Sequence, residues 1–160
     1  MKIKIALKKN EPGLVSTLIR WWTRSKYSHV EMIIPDHNEN FKKGFWISSM
    51  PGKGVRKKPL EYPLDNEFWD YIDVDVPKEN YQDVLILIEK IKKFKYATLD
   101  LFIVQLLGLE EMEDRKRMIC SECVATLLRE FKEPTIMKIK KECVEFTPED
   151  FNKIYGEKNE

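Results

Sequence analysis

Histidine and cysteine are scarce in this chain, with 2 of the first and 3 of the second in 160 residues. An odd cysteine count without repeated spacing makes no disulfide framework, and it points to a reducing compartment. Cys120 and Cys123 form a single C-x-x-C. Without a second cysteine pair, and with so few histidines, a four-ligand zinc cage is not filled, so no metal is expected. Charge of one sign is lacking as well: 28 Lys+Arg stand against 27 Asp+Glu, a formal net charge of +1. A nucleic-acid binder normally carries a basic excess, so no nucleic-acid partner is expected. The basic runs at Lys90 to Lys95 and Lys138 to Lys141 read as solvated faces. No stretch approaches the ~18 apolar residues of a membrane helix. The opening MKIKIALKKN is too broken by lysine for a signal peptide. These absences suggest a cytoplasmic protein with no transmembrane segment. Repeats, low-complexity tracts and linkers are missing too, which leaves one domain over residues 1–160.

What is present is an α+β pattern. Lys2 to Leu7 alternates and suits a first strand. Asn10 to Gly13 is a turn, and Leu14, Leu18, Ile19 and Trp22 then fall at helical spacing. Tyr27 to Ile34 is a strand with Val30, Met32 and Ile34 on one face and His29, Glu31 and Ile33 on the other. Pro35 to Asn38 closes it. Phe45 to Ser49 and Val55 to Leu60 flank a glycine-bearing loop, and Trp69 to Val76 alternates again. Beyond Pro77, Val84, Leu85, Ile88 and Ile91 form the stripe of an amphipathic helix over Glu79 to Phe94. An apolar helix over Leu99 to Leu109, a charged loop over Glu110 to Lys116 and a third helix over Ile119 to Phe131 follow. Thr147-Pro148-Glu149-Asp150 starts a last helix, with a Thr cap and acids at the positive end.

A thiol attacks a carbonyl carbon only as thiolate, and the free side chain has a pKa of ~8.5, so a catalytic cysteine needs help. A helix N-terminus and a neighbouring histidine are two sources of it. Cys120 falls at a loop-to-helix change, and His29 lies on a strand face that also carries Glu31. His37 sits in a turn and is a poor fixed base. On composition alone, a helix cysteine is more often small core filler and a strand histidine more often structural. Cys123 and Cys143 keep that structural reading.

The wording around these residues shifts the balance. Tyr27-Ser28-His29-Val30-Glu31 comes first, then Ser48-Ser49-Met50-Pro51-Gly52-Lys53-Gly54-Val55-Arg56, then Ile119-Cys120-Ser121-Glu122-Cys123. In that order, over about Trp22 to Phe131, the chain resembles the permuted papain-like cysteine hydrolases of the YiiX/YaeF group, within the wider NlpC-like superfamily. Phe94 to Asp100 is similar to the group's Tyr-containing lead into the helix before the cysteine. Phage-encoded members, with S-H-V-E and a serine pair before G-V-R, are especially similar; for a phage protein the compartment would be the host cytoplasm.

The resemblance implies a circularly permuted papain-like fold, an antiparallel sheet packed against helices. It also implies a thiol hydrolase, with no organic cofactor, that cleaves an amide, peptide or acyl (ester or thioester) bond of a substrate lying in a groove beside Cys120. Cys120 would be the nucleophile and His29 its base. The family's orienting residue, commonly glutamate, falls at Ser48 or Ser49. Serine orients an imidazole but adds no charge. Glu31 is the substitute, although i+2 spacing along a strand, ~6.6 Å, is long for direct contact. Ser48 is therefore expected to hold the second ring nitrogen, ahead of Glu31. The alternatives are a catalytically weak or inactive binding module, with Trp21, Trp22, Trp46 and Trp69 lining a ligand groove, and an acyltransferase.

Overall fold

The period-two pattern of Lys2-Ile3-Lys4-Ile5 produces strand β1 (Lys2–Lys9), with Ile3, Ile5 and Leu7 fully buried. The computed structural model describes residues 1–9, 12–36, 41–60, 64, 67–96 and 117–156. Within these, β1 pairs antiparallel with β2 (Tyr27–Ile34) on one side and with β5 (Trp69–Asp75) on the other. β3 (Phe45–Met50) and β4 (Gly54–Pro59) form a hairpin that extends the sheet past β2. The strand order is β4-β3-β2-β1-β5, antiparallel throughout. A parallel pair, β6 (Lys95–Tyr96) and β7 (Arg117–Met118), stands beside β4.

Helix α1 (Leu14–Thr23) joins β1 to β2. Helices α2 (Tyr81–Ile91), α3 (Cys120–Glu130) and α4 (Pro148–Tyr155) share the main core with one face of the sheet. There Ile5, Leu7, Val30, Met32 and Ile47 meet Val84, Ile88, Val124, Leu128 and Phe151. Fully burying such side chains stabilises by roughly 1.5–3 kcal/mol each. The opposite face carries a smaller cluster of Ala6, Ile33, Trp46 and Leu60, flanked by Phe41, Leu64, Trp69 and Tyr71. All eight residues of β2 are consequently buried, His29 and Glu31 included. Buried polar groups are costly unless partnered, so this pair needs partners from each other and from neighbouring elements.

The α+β class and the antiparallel sheet against helices are as the sequence suggests. Thr147 caps α4 through Asp150, whose Oδ2 accepts from Thr147 N at 2.6 Å and Oγ1 at 2.7 Å. One expectation differs. The Glu79 to Phe94 helix is shorter, because a 3-10 turn (Lys78–Asn80) precedes α2 and Asn80 Nδ2 donates to Phe131 O at 3.0 Å. Leu14 starts a helix as its spacing suggests but is 91% exposed, so that spacing does not mark a buried face there. The expected helix over 99–109, the loop over 110–116, residues 10 and 11, and His37 lie outside the described residues. Among the described residues no helix is long and apolar enough to cross a membrane.

Candidate active site

β2 and β3 pair only from Met32↔Ile47 to Ile34↔Phe45, although β2 starts at Tyr27 and β3 continues to Met50. Where the ladder stops, the N-terminus of α3 enters. Cys120 is the first residue of that helix, after Ile119 in extended conformation. The backbone N–H of Val30, no longer needed for a rung to β3, donates to the Cys120 sulfur, as does the N–H of Ser121. The first turn of any helix leaves its N–H groups without intrahelical partners, so sulfur and nearby oxygens find donors there. Glu122 reaches back so that its Oε2 accepts from Ile119 N at 3.3 Å, which fixes the entry of the chain.

Three local features hold this entry in place. Gly54 has φ +68°, and a Cβ there would lie 2.3 Å from Phe94 O and 3.1 Å from Lys95 Cα. Glycine thus lets β6 come against the start of β4, where Val55 N donates to Phe94 O at 3.0 Å. β6 then carries β7, the two residues before Ile119. Ser49 Oγ donates to Met118 O at 2.5 Å, tying β7 directly to β3.

His29 joins the thiol to the sheet. Its ring hydrogen-bonds Cys120. On Nε2 it meets Ser48 Oγ at 3.0 Å and Glu31 Oε1 at 3.2 Å. Burial by itself disfavours the imidazolium, but the Cys120 sulfur and the Glu31 carboxylate outweigh it and raise the His29 pKa from 6.5 to about 9. Burial likewise disfavours a thiolate at Cys120, and His29 together with the two backbone N–H groups brings the thiol below its ordinary value. The arrangement favours a thiolate–imidazolium pair.

Glu31 contradicts the expectation that it stands too far away. The ~6.6 Å spacing is a backbone distance; a glutamate side chain leaning along the strand closes it. Ser48 and Glu31 therefore share Nε2, and neither excludes the other. Glu31 is 2% exposed. Arg56 Nη2 lies 3.4 Å from its Oε1, and Lys58 Nζ lies 3.4 Å from its Oε2, an ion pair without hydrogen-bond geometry. Burial would raise this carboxyl, but His29, Lys58 and Arg56 lower it from 4.5 to about 2. Arg56 and Lys58 were not legible as Glu31 partners. Their signal was the alternation of β4, which sets Gly54, Arg56 and Lys58 on the face shared with Ser48.

Trp69 stands edge-on to His29, with centroids 6.4 Å apart, and packs on Trp46 at 5.3 Å. Lys8 lies over Trp69, and Lys58 over Trp46. Of the other tryptophans, Trp21 is 71% exposed on α1 and the Trp22 side chain lies outside the described residues. Cys123 is fully buried, and burial pushes its thiol well up. Cys143 is half-buried. Among the described residues no group of three or more His, Cys, Asp or Glu side chains is placed to hold a metal. Compared with known proteins, the chain matches no family model and no curated protein.

Proposed function

We propose that this protein is a cysteine hydrolase with a permuted papain-like fold, akin to the YiiX/YaeF group, acting on an amide, peptide or acyl bond. The carrying observation is the buried chain Cys120–His29–Glu31/Ser48 at the N-terminus of α3. The histidine-first order and the helix-borne thiol support the permuted arrangement.

In this reading the Cys120 thiolate attacks the substrate carbonyl carbon, and the charge developing on oxygen is met by N–H groups at the start of α3. The His29 imidazolium gives its proton to the leaving group, which departs and leaves an acyl-enzyme. Imidazole then takes a proton from water, whose oxygen attacks the acyl carbon and frees the thiol. Glu31 stabilises the imidazolium and Ser48 helps fix the ring, the orienting part of a triad. Serine in the third position is the ground for the alternative of an inactive scaffold; the Glu31 carboxylate beside His29 supports the active reading instead.

The test is p-nitrophenyl acetate mixed with the purified protein. A burst near one equivalent of nitrophenol is expected, with acetyl found on Cys120 by mass spectrometry. No burst and no acetyl adduct, with iodoacetamide also failing to alkylate Cys120 at pH about 6, would overturn the reading.

A further inference from the structure

The hydrolase reading uses one thiol of the C-x-x-C and leaves the other idle. Cys120 and Cys123 occupy the first and fourth positions of α3. Three residues along an α-helix separate Cα atoms by about 5 Å, inside the ~4.4–6.8 Å window of a disulfide. Their Cβ atoms stand about 5–6 Å apart, whereas a disulfide wants ~3.5–4.5 Å. A bridge across this turn must therefore pull the turn tighter. Such strain makes a bridge easy to reduce, the property of a regulatory rather than a structural disulfide. The first turn can yield, because Ile119 before it is extended and outside the helix. The two thiols also differ in access: Cys120 is 7% exposed at the site, and Cys123 lies fully in the core behind it.

We propose that Cys120 and Cys123 form a reversible disulfide on exposure to a hydroperoxide, so that the buried thiol protects the nucleophile from irreversible oxidation. The inference rests on the reading of Cys120 as an activated thiol. In the first step the Cys120 thiolate attacks the peroxide oxygen. A sulfur–oxygen bond forms, the oxygen–oxygen bond breaks, sulfur loses two electrons, and the departing alkoxide or hydroxide takes the proton of the His29 imidazolium. In the second step the Cys123 sulfur attacks the Cys120 sulfenic acid. The sulfur–oxygen bond breaks, and hydroxide leaves with the Cys123 proton as water. A dithiol reductant restores both thiols. The high proton affinity that burial gives Cys123 keeps it a resting thiol, so it does not compete for the peroxide.

The experiment uses the full chain with Cys143→Ser, which removes the third thiol. Trypsin releases both cysteines on one peptide, Met118 to Arg129. After a several-fold molar excess of hydrogen peroxide, this peptide is expected two hydrogens lighter and refractory to iodoacetamide, and dithiothreitol should return labelling to its starting level. In a Cys123→Ala protein with wild-type circular dichroism, the same dose should carry Cys120 to sulfinic acid, with labelling lost for good. Sulfinic acid in the Cys143→Ser protein without the lighter peptide would overturn the proposal, as would full recovery of the Cys123→Ala protein. Absence of Cys120 alkylation before any oxidant counts instead against the hydrolase reading, so the two failures are distinguishable.

Discussion

Gly52 and Gly54 offer a controlled comparison, because they share a backbone conformation and differ in surroundings. Their φ values are +72° and +68°; an added Cβ meets nothing within 4 Å at Gly52 but lies 2.3 Å from Phe94 O at Gly54. Alanine at either position bears the left-handed backbone cost of about 1–2 kcal/mol. At Gly54 the methyl must also displace backbone, since the atom it meets is a carbonyl oxygen rather than a flexible side-chain tip. That displacement breaks the Val55 N to Phe94 O hydrogen bond, and leaving such groups unpaired costs about 1–3 kcal/mol more. Urea unfolding should therefore place Gly52→Ala about 1–2 kcal/mol below wild type and Gly54→Ala about 2–5 kcal/mol below it. The second consequence is chemical. β6 carries β7, and β7 leads to Cys120, so the shift should slow iodoacetamide labelling of Cys120 in folded Gly54→Ala but not in Gly52→Ala. Equal destabilisation by the two substitutions, with equal labelling rates, would refute the idea that Gly54 positions the nucleophile through β6.

Labelling of Cys120 against pH should show a midpoint below that of a free thiol, and His29→Ala should move it up, because burial is then opposed only by the Val30 and Ser121 N–H groups; an unchanged midpoint would count against the ion pair. Catalysed hydrolysis should fall on the alkaline side near pH 9, where His29 loses the proton it donates, and a limb at the ordinary 6.5 would show that Glu31 and the thiolate do not raise it. Glu31 has a folded pKa of about 2 against 4.5, so its stabilisation is fully present above 4.5 and lost as pH falls towards 2. Glu31→Gln should remove that acid sensitivity, worth about 3 kcal/mol, as read from urea unfolding at successive pH values; the same acid slope in both proteins would exclude the assignment. Replacing Cys143 or Cys123 by Ala should leave labelling of Cys120 in reduced protein at the wild-type rate, and loss of labelling in folded Cys123→Ala would show that the wrong thiol carries the reactivity.

Elements whose signals are local were legible in the sequence. The strand Tyr27–Ile34 has the ends its alternation and flanking turns give, and α3 starts at Cys120, one residue after the expected Ile119. The Thr147 cap is likewise a four-residue signal. Illegible were the features that depend on what lies opposite. Alternation marks His29 and Glu31 as the polar face of a half-buried strand, but it cannot show that Trp46, Leu60 and their neighbours cover that face. Nor does spacing along one strand reveal that Arg56 and Lys58, two strands away, pin the Glu31 carboxylate. The expected Glu79 start for α2 falls in a 3-10 turn instead, because Lys78, Glu79 and Asn80 carry no apolar residue whose spacing could tell the two helix types apart.

The interrupted ladder between β2 and β3 sets stability against reactivity. Continued in register, the pairing would bring Val30 opposite Ser49 and add rungs to the middle of the sheet, a gain for the fold. The same rungs would take the Val30 N–H from the Cys120 sulfur and close the opening that α3 enters. Substitutions selected for thermal stability should therefore tend to zip this seam, and those that succeed should silence the thiol. A stabilised variant that keeps its reactivity must draw its gain from elsewhere, such as the far end of the sheet at β5.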